Sequence, residues 1–257
     1  MNPAPPNDWW QALYDETVAE LFLVRRDEDE LRRTVAFLWD QLALTPGDTA
    51  FDQCCGIGSL SIPLALRGAR VYGIDLCSAY VRRACREAEA LKIDGHFSAD
   101  DAFVCVPVPP FDGAFNWGSS FGNADHRRNL RMLACAFESL RPGGRFVLDY
   151  QNIPRVLREF QRCLLHRHAT AEGETLLLRE SELDLAVGSL NQRWTFVAPD
   201  GGRVVRHSAL RLYLPHDLAA MLELSGFDEV AFHGGVRGET LSPDSPRCIA
   251  VARRPDA

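Results

Sequence analysis

The sequence predicts an α/β fold, a doubly wound and mostly parallel sheet. Short apolar stretches alternate with helix-like stretches from residue 45 to residue 162, and this alternation favours parallel strands joined by right-handed crossovers. A Gly-x-Gly turn, Gly56 to Gly58, follows the first of these strands. The second strand ends at Asp75, about 20 residues past the turn, as in a nucleotide-binding βαβ unit.

The residue patterns divide the chain of 257 residues into four segments. They are an N-terminal helical cap (residues 1–44), the doubly wound core (45–162), an antiparallel β insertion (163–214) and the C-terminal part of the core (215–257). The cap is predicted from apolar residues at helical spacing, namely Leu31, Val35, Leu38 and Leu42. The last segment begins with Pro215 at the start of a helical stretch and ends in an apolar strand pair.

The core strands are predicted where short apolar runs precede turns or acidic residues. They contain, in order, the stretches TAFDQC, RVYGID, GHFSAD, FDGAFNWG and RFVLDYQN. Helices are predicted over residues 59–67, 77–93 and 125–140, which show helical periodicity. In the insertion, three consecutive strands are predicted in TLLLRESELDL, SLNQRWTFV and RVVRHSALRLYL, with a hairpin turn over residues 198–202.

Composition and charge exclude several classes of function. The formal net charge of -7 disfavours a nucleic-acid partner bound through a broad basic surface. No apolar run reaches the length of a membrane span, so we expect no membrane partner. The eight cysteines form no C-x-x-C motif. We therefore expect reduced thiols in a cytoplasmic protein, and no metal site.

The Gly-x-Gly turn alone does not identify the nucleotide. Dinucleotide-binding turns have the pattern G-x-G-x-x-G, and Ser61 occupies the position of the third glycine. This departure weakens an assignment to NAD or FAD. Asp75 could accept hydrogen bonds from two ribose hydroxyls, and Asp101 follows the third strand, where a base edge would lie. Helix capping is the alternative role for both carboxylates.

Six stretches, in this order, resemble the class I S-adenosylmethionine-dependent methyltransferases. They are FDQCCGIGSL, VYGIDLCSAYVRRA, SADDAF, FDGAFNWGSSFGN, LRPGGRFVLDYQN and LELSGFDEV. The chain looks most similar to bacterial small-molecule methyltransferases with an N-terminal helical cap and a β-rich insertion after the fifth strand. The resemblance implies a seven-stranded Rossmann-like methyltransferase fold, with S-adenosyl-L-methionine as the cofactor. Cys54 stands where the family pattern has its first glycine, and we interpret Cys54 and Cys55 as small packing residues.

The resemblance also implies which residues contact the cofactor. They are Asp52, Cys54, Gly56 and Gly58 around its methionine part, Asp75 at the ribose, Leu76 at the adenine face, Asp100, Asp101 and Ala102 at the adenine edge, Asn116 and Trp117 beside the sulfonium, and Tyr14 in the cap. Tyr14 belongs to an aromatic group with Trp9 and Trp10. This group either closes over the cofactor or packs the N-terminal helix.

Methyl transfer requires little from side chains, because the sulfonium is already activated and alignment is the main contribution. A general base is needed only for a protonated acceptor. The catalytic candidates at the predicted ligand edge are Tyr150, His126, Arg211 and Tyr213.

Strand alternation in the insertion places Leu190, Gln192, Trp194 and Phe196 on one face of a strand. The same alternation places Arg211 and Tyr213 together on another strand. We therefore expect the insertion to wall the acceptor pocket, with Arg211 or Tyr213 in contact with the acceptor. A homodimer contact through the same strands is the alternative.

The function predicted from these features is methyl transfer from S-adenosylmethionine to an O, N or C atom of a small molecule in natural-product biosynthesis. One alternative is a non-methylating reaction, such as cyclisation, with bound S-adenosylmethionine or S-adenosylhomocysteine. Another is a non-catalytic partner that keeps only the fold, which the set Asp52, Gly56, Gly58 and Asp75 disfavours.

Overall fold

The computed structural model describes residues 8–256, apart from residues 109, 119, 171 and 172. Residues 1–7 of the predicted cap, residues 171 and 172 of the predicted insertion and residue 257 therefore lie outside the described residues.

Eleven strands form two sheets in the described part of the chain. The first sheet contains β1 (Thr49–Gln53), β2 (Arg70–Ile74), β3 (Gly95–Ser98), β4 (Phe111–Asn116), β5 (Leu140–Tyr150), β10 (Asp228–His233) and β11 (Cys248–Arg253). The second contains β6 (Cys163–Thr170), β7 (Gly173–Asp184), β8 (Ser189–Val197) and β9 (Arg203–Arg211).

Helices occupy the connections between strands and most of the N-terminal segment. They are α1 (Trp10–Leu13), α2 (Glu16–Val18), a π-helical turn (Ala19–Leu23), α3 (Glu28–Gln41), α4 (Ser61–Leu66), α5 (Ser78–Leu91), α6 (His126–Ser139), α7 (Ile153–Arg158) and α8 (Pro215–Leu224). Val35, Leu38 and Leu42 of the predicted apolar stripe are buried in the core. Helix α3 begins after Asp27, whose carboxylate accepts a hydrogen bond from the backbone N–H of Glu30 at 2.9 Å.

The first sheet has the strand order β10-β11-β5-β4-β1-β2-β3. Strands β1 to β5 are parallel, whereas β11 runs antiparallel to both of its neighbours, β5 and β10. This seven-stranded topology confirms the predicted doubly wound, mostly parallel fold. Because the carboxyl ends of parallel strands meet at one edge, residues that follow β1, β2, β3 and β4 are brought together there.

The second sheet is an antiparallel meander in the order β6-β7-β8-β9. Strand β6 was not among the predicted strands, and it becomes recognisable only through its pairing with β7. Leu177 and Phe196 on one face of this sheet form a buried cluster with Trp9, Leu13 and Val18. We call this the inner face, because it packs on the N-terminal helices, which in turn lie over the carboxyl edge of the first sheet.

Candidate functional site

A cavity of about 350 Å³ lies between the carboxyl edge of the first sheet, the N-terminal helices and the inner face of the second sheet. Nine of the predicted cofactor-contacting residues line it. They are Tyr14, Asp52, Cys54, Gly56, Asp75, Leu76, Asp101, Ala102 and Trp117. The cavity therefore brings together residues from the cap and from the ends of the first four strands.

The turn after β1 forms the floor of the cavity. Its backbone passes through positive φ values of 73° at Cys54, 57° at Gly56 and 79° at Gly58. A Cβ atom on Gly58 would lie 3.0 Å from Cδ1 of Ile62 and 3.2 Å from Cβ of Ala84, so glycine is required there for both conformation and space. Gly58 belongs to the turn and packs near Ile62 and Ala84, but it does not line the cavity.

The two cysteines of this turn behave as packing residues. Burial raises the pKa of both thiols well above their ordinary values, and the carboxylates of Asp52 and Asp75 add to the effect. A raised pKa keeps a thiol protonated and unreactive. The Cβ of Cys55 also lies where a side chain on Gly73 would clash, at 2.9 Å from a Cβ built there.

Asp75 links the turn to the next helix. Its Oδ2 accepts a hydrogen bond from the backbone N–H of Gly56 at 2.9 Å, and its Oδ1 accepts one from the N–H of Cys77 at 2.8 Å. Burial raises the pKa of Asp75, and these two hydrogen bonds oppose that rise. Each carboxylate oxygen has a second lone pair for a ligand hydroxyl. The capping role and the binding role considered for Asp75 are thus compatible.

Asp52 is buried beneath the turn and accepts a hydrogen bond from the hydroxyl of Ser61. Burial raises the pKa of Asp52 to about 7, and the nearby Asp75 contributes in the same direction. Ser61, which departs from the dinucleotide pattern at the third glycine, therefore has a defined role as the partner of this carboxyl.

We expect the ligand-free protein to lose stability through Asp52 as the pH rises. The folded pKa of about 7 lies above an unfolded value of about 3.9, so the folded state binds the extra proton. The contribution of protonated Asp52 to the free energy of unfolding is complete below about pH 4 and is lost as the pH rises through about 7. The melting temperature of Asp52→Asn relative to wild type should therefore increase by a few degrees between pH 5 and pH 8. An equal difference at both pH values would contradict the prediction.

Asn116 and Asp100, which were predicted to contact the cofactor, lie outside the cavity lining. Asn116 is fully buried, and its Nδ2 donates to Oε1 of Gln53 at 3.3 Å. Asp100 accepts a hydrogen bond from the hydroxyl of Ser98, at the end of β3. Nδ2 of Asn116 also lies 3.8 Å from Sγ of the cavity-lining Cys54, and its Oδ1 is buried without a partner among the described residues. The cofactor contacts of Asn116 and Asp100 stay predictions.

The four predicted catalytic residues also lie away from the cavity. Tyr150 is fully buried and its hydroxyl donates to the backbone oxygen of Arg211. Tyr213 is buried, with its hydroxyl 3.1 Å from Nδ2 of Asn129 and 3.2 Å from Nδ1 of the exposed His126. The Arg211 guanidinium donates to the backbone oxygen of Val187.

These four residues do not line this cavity, so they do not enter the proposed site, and their contact with an acceptor stays a prediction. The reason is local. The prediction placed Tyr213 on the same face as Arg211 because it extended the strand alternation to Tyr213. Strand β9 ends at Arg211, so Tyr213 lies outside the strand. Tyr213 turns towards α6 and packs against Phe121 and Tyr150.

Sequence reasoning missed two arginines that line the cavity, Arg25 and Arg179. The Nε atom of each is buried and makes no hydrogen bond to any described residue. Burial lowers the pKa of both guanidinium groups. Arg25 lies on the core side near Asp52 and Asp149, whereas Arg179 lies on β7 of the second sheet.

The cap is fastened to the core at the cavity. The hydroxyl of Tyr14 accepts a hydrogen bond from Nδ2 of Asn123 at 3.1 Å, and burial raises the pKa of Tyr14 to about 12. Trp10 lies against Phe103, with a ring-centroid distance of 5.8 Å, so the aromatic cap residues contact the loop after β3 as well as the second sheet. In the part of the chain that the structure describes, no three acidic, histidine or cysteine side chains are grouped as a metal site would require. The described helices include none with the length and apolar character needed to traverse a bilayer.

Comparison with known proteins agrees with this geometry. Residues 50–144 match a family model described as a methyltransferase domain. The structure of the CcbJ methyltransferase from Streptomyces caelestis superposes with a TM-score of 0.77 at 19% identity, covering 94% of this chain and 100% of that one. The chain therefore shares the fold of that methyltransferase structure, and residues 50–144 match a methyltransferase domain. The match confirms the predicted resemblance for the four stretches that lie wholly within residues 50–144.

Other proteins that are similar to this chain are named for different reactions and substrates. The structure of CalS10 with bound S-adenosylmethionine, an amino pentose methyltransferase of calicheamicin biosynthesis from Micromonospora echinaspora, matches with a TM-score of 0.66 at 17% identity, over 99% of this chain and 100% of that one. An S-adenosyl-L-methionine-dependent Diels-Alderase, iccD of Talaromyces variabilis, is 32% identical over 126 residues, which are 47% of this chain and 42% of that protein. A 23S rRNA (uracil-C5) methyltransferase of Pseudomonas aeruginosa is 37% identical over 91 residues, or 30% of this chain and 20% of that protein. The chain thus spans less than half the length of either curated relative.

Proposed function

We propose that the chain transfers a methyl group from S-adenosylmethionine to an O, N or C atom of a small molecule. The observation that carries this proposal is that one cavity has Asp52, Gly56, Asp75 and Asp101 at one side and the inner face of the second sheet at the other. The first side suits the cofactor and the second suits an acceptor. The methyltransferase-domain match over residues 50–144 supports the assignment.

S-adenosylmethionine supplies an activated methyl group on its sulfonium. We assign Asp75 to the ribose hydroxyls, Asp101 to the adenine edge and Arg25 to the carboxylate of the methionine part. The Arg25 assignment rests on its buried Nε without a protein partner beside the floor of the cavity. Tyr14, held by Asn123, covers the site and excludes water.

On the acceptor side, the protein contributes position rather than acid–base chemistry. The polar lining residues of the second sheet are Arg179, Gln192, Trp194 and Ser208, and these described residues include no histidine or carboxylate. Holding the attacking atom in line with methyl and sulfur accounts for most of the rate that such a site can give. An acceptor whose nucleophile is already deprotonated or neutral suits this lining best.

A second candidate is a non-methylating cyclisation with the cofactor bound, and the iccD Diels-Alderase relative is the observation that favours it. The two reactions differ in one product. Methyl transfer releases S-adenosylhomocysteine in proportion to turnover, whereas cyclisation leaves S-adenosylmethionine intact.

We place the reaction in natural-product biosynthesis in the cytoplasm, with no nucleic-acid or membrane partner. The named role of CalS10 and the net charge of -7 support this placement. The rRNA methyltransferase relative covers only 30% of this chain, so its substrate is not carried over. A homodimer would use the outer face of the second sheet, where Leu165 and Val205 are exposed.

The purified protein should bind S-adenosylmethionine and S-adenosylhomocysteine, and it should not bind NADH. Asp75 and Arg25 can engage the ribose and the amino-acid part of the sulfur ligands, whereas the turn has Ser61 in place of the third glycine that a dinucleotide pyrophosphate requires. Isothermal titration calorimetry with each ligand tests this. Saturable NADH binding without heat from either sulfur ligand would refute the proposed function.

A further inference from the structure

The inner face of the second sheet carries an arginine for which the described residues offer no anionic partner. Arg179 lies opposite Trp194 in the β7–β8 ladder and lines the cavity. Its Nε is buried and makes no hydrogen bond. Three other arginines of this sheet and its hairpins are paired with carboxylates, in the pairs Arg167–Glu174, Arg193–Glu180 and Arg206–Asp15. Arg203 and Arg211 of β9 also form no salt bridge among the described residues, but they do not line the cavity. Arg179 is thus distinguished by combining a place in the cavity lining with the absence of a carboxylate partner.

A half-buried guanidinium without a partner destabilises the ligand-free protein. Burial lowers the pKa of Arg179, which expresses the cost of holding this charge away from water. The Cζ of Arg179 lies over the Trp194 ring, 5.5 Å from the ring centroid, and this cation–π contact is not a hydrogen bond from any of the five N–H donors. The donors remain available to a planar anion, which a guanidinium binds through two parallel hydrogen bonds.

The surroundings of Arg179 favour a flat and mainly apolar ligand. Nε1 of Trp194 donates to the hydroxyl of Ser208 at 2.9 Å, so the orientation of the indole is fixed. Nε2 of Gln192 donates to the hydroxyl of Ser181 at 3.0 Å, which fixes a second cavity-lining side chain. Trp10 lines the same cavity from the cap. An aromatic acceptor can lie against these rings with its charge at Arg179.

The charge on this face matches a monoanion. Arg206, opposite Trp194 in the β8–β9 ladder, is a second cation of this face, and its charge is paired with Asp15. His166 lies opposite Leu177, and its Nε2 is buried without a partner among the described residues. Burial lowers the pKa of His166, and the charges of Arg179 and His168 lower it further, so the imidazole stays neutral. One positive charge fits a carboxylate, whereas a phosphate dianion requires a second cation. The cofactor's own carboxylate is assigned to Arg25, on the other side of the cavity.

We propose that Arg179 binds a carboxylate of the acceptor, and that the substrate class is therefore an aromatic carboxylic acid. This inference rests on the proposed function, because the acceptor must share the cavity with the cofactor. Arg179 acts as a specificity-determining residue. It holds one end of the acceptor, while Trp194 supports the ring.

The test is calorimetry on the protein saturated with S-adenosylhomocysteine, using 1-naphthoate and the uncharged 1-naphthamide as probes. We expect saturable binding of 1-naphthoate. The affinity for 1-naphthamide should be lower by a factor of about 10 or more. Arg179→Met should weaken 1-naphthoate binding by about 10- to 100-fold, the range for lost hydrogen bonds to a charged group. Arg193→Met, on the neighbouring strand, removes a guanidinium that is paired with Glu180 and lies outside the cavity lining, and it should change nothing.

Thermal unfolding separates this role from a structural one. Removing a desolvated charge without a partner should raise the melting temperature of Arg179→Met by roughly 2–4 °C. A structural arginine would lower it, and a lower melting temperature in both Arg179→Met and Arg179→Lys overturns the proposal. Equal affinities for the two probes, or no saturable binding of 1-naphthoate, also overturn it. If S-adenosylhomocysteine itself fails to bind, the proposed function falls, whereas normal binding of S-adenosylhomocysteine with no carboxylate binding refutes this inference alone.

Discussion

Asp75→Asn is expected to weaken S-adenosylhomocysteine binding by about 10- to 100-fold. The substitution removes a charged acceptor from the proposed ribose contact, and lost hydrogen bonds to a charged group account for a change of this size. It also replaces one acceptor oxygen with an amide donor, which faces the backbone N–H of either Gly56 or Cys77. The ligand-free melting temperature should therefore fall by a few degrees as well.

Asp100→Asn provides the matched control, because Asp100 follows the neighbouring strand and lies outside the cavity lining. Its affinity for S-adenosylhomocysteine should equal that of wild type, as measured by calorimetry. If Asp75→Asn lowers the melting temperature but leaves the dissociation constant unchanged, Asp75 only links the turn to α5 and the ribose contact lies elsewhere.

The core could be predicted because its signals are local. Each of β1 to β5 is a short apolar run that ends in a turn or an acidic residue, and the helices between them show a clear apolar stripe. The residues at the strand ends then follow from topology alone, since parallel strands share one carboxyl edge. This explains why Asp52, Gly56, Asp75 and Asp101 were correctly placed together.

Failures arose where the outcome depends on tertiary contacts. Strand β6 contains CLLHRHAT, whose histidines and arginine conceal the alternation until β7 pairs with it. Arg211 and Tyr213 were assigned to one face because the alternation was extended past the end of β9. The sequence shows that Arg25 and Arg179 are basic, but only the folded chain shows that each lines the cavity with a buried Nε that has no hydrogen-bond partner among the described residues.

Arg25→Met should weaken S-adenosylhomocysteine binding by about 10- to 100-fold without destabilising the ligand-free protein. The guanidinium lines the cavity and its Nε has no protein partner. Burial is the largest effect on its pKa and lowers it, while Asp149, Glu30 and Asp52 act in the opposite direction, so we expect removal of the charge to leave the stability of the ligand-free protein unchanged. We expect the Arg25 charge to stabilise the cofactor complex, through a charge-assisted pair with the carboxylate of the cofactor.

Methylthioadenosine, which has the adenosine and sulfur but no amino-acid part, separates the two ends of the cofactor. Arg25→Met should bind methylthioadenosine as well as wild type does, whereas Asp75→Asn should lose affinity for it, because the ribose contact is common to both ligands. Arg26→Met is the control, since Arg26 is exposed and paired with Glu20 at 2.7 Å. If Arg25→Met lowers the affinity for S-adenosylhomocysteine and for methylthioadenosine equally, Arg25 shapes the cavity as a whole. The carboxylate of the cofactor would then require a different partner, and the N–H groups of the turn after β1 are the remaining donors at that end.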